Sequence, residues 1–415
     1  MKKGLKLLAV SVLSVASLVS CEEGGTSGSN SGSTATKWKA GLVALHDTNS
    51  TYDKNFIDAF NAACTKLGFE AVIKTGIPET SAAYDAAAEL ADENCQFVFA
   101  DSFGHESHIL KAAKEFPNVQ FSHATGTSAH VNKVANFHNA FASIYEGRYL
   151  AGVAAGMKLK DMIDNNTLPA TAKKDGDNYK IGYVGAFPYA EVISGYTSYF
   201  LGVRSIVSNV TMEVTYTSSW YDETAEKNGA NTLIANGCAV ISQHADSWGA
   251  PNACETAKVP NISYNGSTAS NCPNTYIISS KVNWEPYFEY ALGKIKEGKG
   301  SEIPYDYTGT LGSDFTSGSV ALSEIGTAAA SGTQAKLEEV AGKLRNGTLK
   351  VFDCASFTVN GEHLTTKLAD IDGDYKADTE AITTKNGITY YDESSLRSAP
   401  YFDVIIDGIT ELNNN

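Results

Sequence analysis

The sequence predicts an α/β protein built of two similar lobes. From residue 38 onward, short apolar runs alternate with patterns typical of amphipathic helices, and after residue 144 the same alternation begins again. The 415 residues are enough for two domains or one large α/β unit, and 43% hydrophobic residues supply a sizeable core. Strands that alternate with helices form parallel sheets covered by helices. We therefore expect two Rossmann-like lobes with parallel sheets, joined by a hinge.

The first half of the body contains four apolar runs separated by three helical patterns. The predicted strands cover residues 39–45, 70–73, 96–100 and 119–123, and the predicted helices cover 54–67, 81–94 and 108–115. The first helix is amphipathic and ends at Gly68, the second is rich in alanine, and the third stops before Pro117. Glycine and proline are frequent at these positions because neither residue continues a helix well. This order predicts one parallel sheet with helices on both faces.

The second half repeats the pattern. Predicted helices cover residues 145–159, 190–206 and 224–235, and predicted strands cover 180–184, 212–217 and 239–242. Ligands of such sheets bind beyond the carboxyl ends of the strands, where the loops of neighbouring strands meet. Two sheets in one chain therefore predict a cleft between lobes.

The charge balance is acidic. There are 47 acidic against 32 basic residues, for a net charge of −15, and the three charges before residue 21 are all lysines. Without that segment the net charge falls to about −18. Such a surface repels phosphate backbones and anionic lipid headgroups, so the sequence excludes a general nucleic-acid or membrane-surface binder.

The N-terminus has the features of an export signal. Lys2, Lys3 and Lys6 precede an apolar stretch at residues 7–20, which is too short to span a bilayer. The stretch ends in Leu-Val-Ser-Cys at Cys21, which resembles a bacterial lipobox. We expect residues 1–20 to be a lipoprotein signal peptide and residues 21–37 a lipidated Cys21 with a flexible linker. The protein would face the periplasm or the outside, held at the cell membrane through this anchor alone. A plain secretory signal is the alternative.

The remaining cysteines and acidic loops give weak signals. An extracytoplasmic location permits disulfides, and Cys254 and Cys272 are the best candidates for one, with buried thiols as the alternative. No CxxC motif or zinc-type spacing is present. Residues 370–378 resemble a calcium loop, but the glycine is fourth rather than sixth and no glutamate is twelfth, which favours a solvated turn. We expect no metal and no cofactor.

The loops after the predicted strands are rich in aromatic residues. They begin at residues 46, 101, 124, 185, 218 and 243, and most carry a large ring with one or two carboxylates, amides or hydroxyls. Such loops suit a flat, uncharged or weakly polar ligand held between rings. They do not suit a phosphate, which needs arginine, lysine or a glycine cradle.

Several segments at these loops resemble the basic membrane protein (BMP) family of substrate-binding lipoproteins, of the PnrA-like type. The matching pieces include YDKNF at 52–56, FSHATG at 121–126, YEGRYLAG at 145–152, QHADS at 243–247 and WEPYF at 284–288. The resemblance runs in order over residues 40–300. It implies a type I periplasmic-binding-protein fold that delivers purine nucleosides or nucleobases to an ABC permease and ATPase. The crossovers of that fold imply that lobe 1 comprises residues 38–132 and 280–302, and that lobe 2 comprises 133–279 and 303–415. The matching pieces are most similar to the branch linked to adenine-type bases.

The resemblance also assigns roles to single residues. Asp47 and Phe56 keep the spacing of an acid that bonds the base and a ring that stacks on it, and Trp220 falls where the opposite ring lies. Asn265 and Asn283 stand where nucleoside binders hold the ribose with Asp and Lys, which weakens the case for a ribose. Ser50 replaces a tryptophan of the nucleobase branch, so that Phe56, Tyr52 or Phe103 would supply the first ring.

The predicted ligand-binding residues are Asp47, Tyr52, Phe56, Phe103, Phe187, Glu191, Trp220, His244, Asp246, Asn265, Asn283 and Trp284. Structural alternatives stand beside several of them. Phe56 could be core packing, Asp47 a helix cap, and Glu191 an acid favoured in a first helical turn. His244 and Asp246 could form a loop pair.

The predicted function is that of a monomeric substrate-binding protein for a purine-like molecule and not of an enzyme. The motifs GxSxG and HExxH and the P-loop are absent from the sequence. The alternatives are a sensor module, a surface antigen or adhesin of the same fold, an exported hydrolase, and a binder of another small polar ligand such as a sugar.

Overall fold

The computed structural model describes residues 38–413, so the predicted signal peptide, Cys21 and linker lie outside it. In chain order, the strands are β1 (Lys39–Val43), β2 (Glu70–Lys74), β3 (Phe97–Ala100), β4 (Gln120–Ala124), β5 (Phe137–Ala142), β6 (Lys174–Asp175), β7 (Asn178–Gly185), β8 (Val210–Tyr216), β9 (Ile241–His244), β10 (Asn261–Tyr264), β11 (Tyr276–Val282), β12 (Asp306–Gly309), β13 (Val320–Leu322), β14 (Leu368–Ala369), β15 (Thr379–Glu380), β16 (Ile382–Lys385), β17 (Ile388–Tyr391) and β18 (Ile409–Glu411). The helices are α1 (Thr51–Leu67), α2 (Ala82–Asp92), α3 (Glu106–Glu115), α4 (Ala129–Asn132), α5 (Ile144–Asp164), α6 (Ala190–Arg204), α7 (Glu223–Ala235), α8 (Gly249–Ala257), α9 (Glu285–Lys296) and α10 (Thr333–Arg345).

Two sheets form the framework. The first has the strand order β12-β5-β4-β3-β1-β2, and every neighbouring pair in it is parallel. The second has the order β13-β11-β10-β9-β7-β8-β18. It is parallel except at one end, where β13 runs antiparallel to β11, and where the short β6 pairs with β7. The predicted α/β class with two sheet-based lobes is confirmed.

Sheet membership places the crossovers between lobes differently from the sequence-based boundaries. β5 pairs with β4, and β12 pairs with β5, so both strands belong to the first lobe although the expected boundaries gave them to the second. β11 stays in the second sheet to its end at Val282. The chain therefore crosses near residues 143, 283 and 310. The sequence pattern did not predict β5, β10 or β11.

The first lobe has an aromatic core between α1, α9 and the sheet. Phe56 stacks on Trp284 with ring centroids 4.3 Å apart, and Phe60 meets Phe288 edge-on at 5.2 Å. All four rings are buried. Such pairs stabilise by more than their buried area alone. This cluster fixes α9 against α1 although the two helices lie more than 200 residues apart in the sequence.

The second lobe depends on a close crossing of α5 and α6. A Cβ atom added to Gly152 would lie 2.1 Å from the backbone carbonyl oxygen of Tyr199, and one added to Gly202 would lie 2.2 Å from that of Tyr149. Any side chain at either position would therefore push the helices apart.

Within residues 38–413, no helix combines the length and the apolar character needed to cross a bilayer.

Residues after 345 form a C-terminal segment that returns to both lobes. Phe352 stacks on Phe402 at 4.1 Å, β16 pairs with β17, and β18 extends the second sheet beside β8.

In the acidic loop of this segment, Asp370, Asp372 and Asp374 bring carboxylate oxygens within 4.8 Å of one another. Asp370 accepts hydrogen bonds from backbone N–H groups of the same loop, as in a turn.

The expected disulfide is not present. All six cysteines in the described part of the chain are free and buried. Asn261 Nδ2 lies 3.8 Å from Cys254 Sγ, and Cys272 Sγ lies 3.8 Å from Asn252 Oδ1, so each thiol has its own polar neighbour. The pairing of Cys254 with Cys272 was therefore wrong, and the alternative of buried thiols fits the structure.

Candidate functional site

A cavity lies where the carboxyl ends of the two sheets face each other. Its lining residues are Leu45, Tyr52, Asp53, Ser102, Phe103, Thr125, Glu191, Trp220, His244 and Asp246. The first six come from lobe 1 and the last four from lobe 2. They follow the ends of strands or begin helices, which is where the strand-end loops predicted a ligand to bind.

The lobes are closed around this cavity at the start of α1. The backbone N–H of Thr51 and its hydroxyl both donate to the backbone carbonyl of Asp246, at 3.0 and 3.1 Å. Ser50 caps the same helix by accepting from the backbone N–H of Asp53. Asn55 donates to the Val282 carbonyl at the crossover. The first turn of α1 is thus both a wall of the cavity and a contact between lobes.

Aromatic rings form two walls of the cavity. On the lobe 1 side, the hydroxyl of Tyr52 donates to the backbone carbonyl of Asp101 at 2.7 Å, and Phe103 is 46% exposed. On the lobe 2 side, Trp220 is supported edge-on by Phe187 at 5.0 Å. Tyr189 packs on Phe187 at 5.1 Å and approaches Phe103 across the cleft at 5.5 Å. The cleft therefore presents rings from both lobes to a ligand.

The polar groups of the cavity include acidic side chains and one imidazole. Burial lowers the pKa of His244, so its ring is neutral, and its Nε2 lies 3.4 Å from Glu191 Oε1. Burial, followed by the nearby carboxylates of Asp53, Glu226 and Glu191, raises the pKa of Asp246 well above its ordinary value. A carboxyl group in such a place holds its proton and can donate a hydrogen bond.

Asp53 behaves in the opposite way. Burial alone would raise its pKa, but hydrogen bonds from His46 and Ser50 outweigh this effect and lower it. Its two oxygens accept from the His46 backbone N–H at 2.7 Å and from the Ser50 hydroxyl at 2.6 Å. The cavity thus contains one ionised acceptor in lobe 1 and one acid in lobe 2 that favours its protonated form.

A buried arginine lies behind the lobe 2 wall. Arg148 donates to the Gln243 carbonyl at 2.7 Å and lies 4.2 Å over the ring of Tyr264. Tyr264 in turn contacts the His244 ring at 4.6 Å. Burial lowers the pKa of Arg148 to about 10. The contact of its guanidinium with the Tyr264 ring is a cation–π interaction.

The structure brings together half of the residues that the sequence singled out. Tyr52, Phe103, Glu191, Trp220, His244 and Asp246 line the cavity. Phe187 supports Trp220 from behind. Phe56 and Trp284 lie fully in the aromatic core, which leaves no ring surface for a ligand and agrees with the packing alternative for Phe56.

The other three predicted residues lie in loops outside the cavity lining. Asp47 is exposed beside a separate surface hollow of about 600 Å³, and its Oδ1 accepts from the Asn49 backbone. Asn265 is buried in a left-handed backbone conformation, with a φ of 60°. Asn283 donates to the Thr316 carbonyl and accepts from the Glu285 backbone at the start of α9. None of these side chains lines the cavity.

The residue-level predictions missed Leu45, Asp53, Ser102 and Thr125. Ser102 and Thr125 belong to the strand-end loops that the sequence had marked, and Asp53 lies beside Tyr52 in the first turn of α1. Their position after strands was the available signal. The residue type adds no further signal, because small or capping residues look alike in a sequence whether or not they face a ligand.

Comparison with known proteins identifies the family to which the chain belongs. Residues 41–314 match the family described as Bmp, ABC transporter substrate-binding protein PnrA-like. The chain is 32% identical over 210 residues to a protein of Haloferax volcanii named as an ABC transporter glucose-binding protein, covering 51% of this chain and 48% of that one. It is 29% identical over 220 residues to a purine-binding protein of Brucella abortus, covering 53% and 57%. The chain thus spans about half the length of these two relatives.

A longer match is to a nucleoside-binding protein of Lactococcus lactis, 24% identical over 309 residues, covering 73% of this chain and 79% of that one. Solved structures show the fold. ABC transporter solute-binding proteins of Conexibacter woesei and Aeropyrum pernix superpose with TM-scores of 0.59 and 0.60 at 20% and 17% identity. The matches cover 75% and 79% of this chain, and 98% and 94% of those chains. The predicted type I periplasmic-binding-protein fold is confirmed.

Proposed function

Because the chain belongs to the Bmp family of PnrA-like ABC transporter substrate-binding proteins, we propose that it binds a purine nucleobase or nucleoside in the interlobe cavity. The observation that carries this proposal is that both lobes contribute aromatic rings to the cavity, Tyr52 and Phe103 from lobe 1 and Trp220 from lobe 2. A planar heterocycle stacks well on such rings, since the π-face of every base contacts an aromatic side chain favourably.

The polar groups can select among purines. Asp53 is an acceptor, and Asp246 favours its protonated form and can donate. A purine edge carries ring-nitrogen acceptors and, in most bases, N–H donors. One acceptor and one donor in the cavity therefore favour purines whose donors and acceptors lie in matching positions. A base lacking one partner would leave a buried polar group unpaired, which costs about 1–3 kcal/mol.

The same groups argue against phosphorylated ligands. Within residues 38–413, no lysine or arginine lines the cavity, and three carboxyl groups do. Arg148 lies behind the wall with its charge directed at Tyr264 and the Gln243 carbonyl. A phosphate in this cavity would face repulsion without a compensating cation.

The transport role follows from closure. Ligand held between the walls would stabilise the contact of Thr51 with the Asp246 carbonyl, and the closed form would dock on an ABC permease whose ATPase drives import. The protein would be a monomer, anchored at Cys21 to the membrane and facing the periplasm or the outside. It would not be an enzyme, because it releases its ligand unchanged.

Sugar binding is the second candidate, since a relative with 32% identity is named as a glucose-binding protein. Calorimetry on the full chain in detergent, with adenine, hypoxanthine, adenosine, inosine and glucose, separates the two. Mass spectrometry of the molecule that co-purifies gives an independent answer. We expect binding of at least one purine and none of glucose. Binding of glucose with no response to any purine would refute the proposal.

A further inference from the structure

The C-terminal segment, which lies beyond the family match ending at residue 314, forms the outer wall of a second chamber. This chamber is open to solvent on one side and shares Phe103, Thr125, Glu191 and Trp220 with the cavity between the lobes. Its far side consists of residues 370–375 and 397–403. A ligand that contacts Phe103 and Trp220 in the inner cavity could therefore extend a substituent into the space that the C-terminal segment borders.

This wall is attached to both lobes. On the lobe 2 side, β18 pairs in parallel with β8, and Glu411 accepts a hydrogen bond from the Tyr196 hydroxyl at 3.0 Å. On the lobe 1 side, Asp306 of β12 accepts from the backbone N–H and the hydroxyl of Ser398, at 3.0 and 2.8 Å. In the closed form the wall is therefore held at both ends by the protein itself, as a preformed subsite requires.

Within residues 38–413, the lining of the chamber offers hydrogen-bond acceptors and no free cation. Its guanidinium belongs to Arg397, which is 8% exposed and whose donors are directed at the backbone carbonyls of Asp370, Ile371, Ala399 and Pro400. Glu191, Thr125 and Thr127 line the same space, as does Asp403, whose Oδ1 is paired with Lys367 Nζ at 2.9 Å. Carboxylates accept from hydroxyl groups and repel anions.

We propose that this chamber is a second ligand subsite, which takes an uncharged, hydroxyl-rich substituent on the ring that the inner cavity holds. The proposal rests on the proposed function, because it takes a purine as the ring. It differs from the positions at which nucleoside binders of the family hold a ribose, since Asn265 and Asn283 line neither space. The C-terminal segment would thereby set the size and polarity of the ligand.

Pairs of ligands that share a ring measure how much the substituent contributes to the affinity. Calorimetry on the full chain would compare adenosine with 9-methyladenine and inosine with 9-methylhypoxanthine, which share a ring and differ in the hydroxyl-bearing group. We expect the nucleoside of the preferred ring to bind at least tenfold more tightly than its 9-methyl analogue. The corresponding nucleoside monophosphate should bind at least tenfold more weakly than the nucleoside.

Two variants test the wall itself. Asp403→Asn and Thr127→Val should each reduce the preference for the nucleoside over the 9-methyl analogue at least threefold, with the affinity for the analogue unchanged. Asp378→Asn is the matched control, because Asp378 is an exposed acid of the same segment that does not line the chamber. Equal affinity of nucleoside and analogue, or an unchanged preference in both variants, would overturn the subsite alone. If no purine binds to the unaltered protein, the proposed function itself fails.

Discussion

Trp220→Ala is the sharpest test of how the cavity holds its ligand. The indole lines both the cavity and the outer chamber, and it rests on Phe187 at 5.0 Å and Tyr189 at 6.0 Å, so it is the supported ring of the lobe 2 wall. Stacking of a base on one aromatic side chain contributes about 1–3 kcal/mol. Since about 1.4 kcal/mol corresponds to a tenfold change in affinity, the variant should bind roughly 5- to 150-fold more weakly.

Isothermal calorimetry with the purine that binds most tightly measures this change. Trp220→Phe should recover most of the affinity because it restores a ring face. Trp38→Ala serves as the matched control, since Trp38 packs on Phe69 at 5.6 Å away from the cavity. Affinity within twofold of the unaltered protein in Trp220→Ala would show that the indole does not stack on the ligand, and the reasoning from the ring-bearing walls would then be wrong.

Three further predictions concern stability. Phe56→Ala should lower the free energy of unfolding by about 3–5 kcal/mol in denaturant titrations, and a normal stability would contradict its place in the core. Burial raises the pKa of Glu226 to about 7 and of Glu393 to about 8, so the native state holds protons that the unfolded chain has released. Stability should therefore fall as the pH rises from about 4.5, the ordinary pKa of a glutamate, to about 8. Glu393→Gln should flatten that slope in thermal melts, and an unchanged slope would contradict the assignment. Gly152→Ala should destabilise the crossing of α5 and α6, whereas Gly293→Ala, which meets nothing within 4 Å, should stabilise by up to about 1 kcal/mol; equal effects would refute the close crossing.

The sequence was sufficient to locate the cavity because parallel sheets place their loops predictably. Trp220, Phe103 and His244 follow or end strands, and the carboxyl ends of parallel strands meet at one edge of a sheet. A large ring in a polar loop at that edge has few partners other than a ligand. Phe56 shows the limit of the same reasoning. Its position in α1 was right, but which side of the helix faces the cavity depends on packing against Trp284, which lies 228 residues later in the chain.

The lobe boundaries were harder to predict for a related reason. β5 has the sequence FHNAFA, in which two polar residues interrupt the apolar run. His138 is nonetheless buried because its Nδ1 faces the Pro304 carbonyl and its Nε2 faces Gln120. Asn139 is buried because it bonds the Ala129 backbone and Glu106. These partners are distant in the sequence, so no local pattern shows that a polar strand completes the first sheet.

Closure of the lobes is held by a small number of polar contacts, which bears on how a ligand could control it. Thr51 makes two hydrogen bonds to the Asp246 carbonyl, and the C-terminal segment adds two between Ser398 and Asp306. At about 0.5–1.5 kcal/mol each, these bonds favour the closed form by a few kcal/mol, from which the cost of ordering the interface must be subtracted. A ligand that touches rings of both lobes binds only the closed form well. Stacking on Trp220 alone, at about 1–3 kcal/mol, is therefore large enough to shift the balance between open and closed lobes.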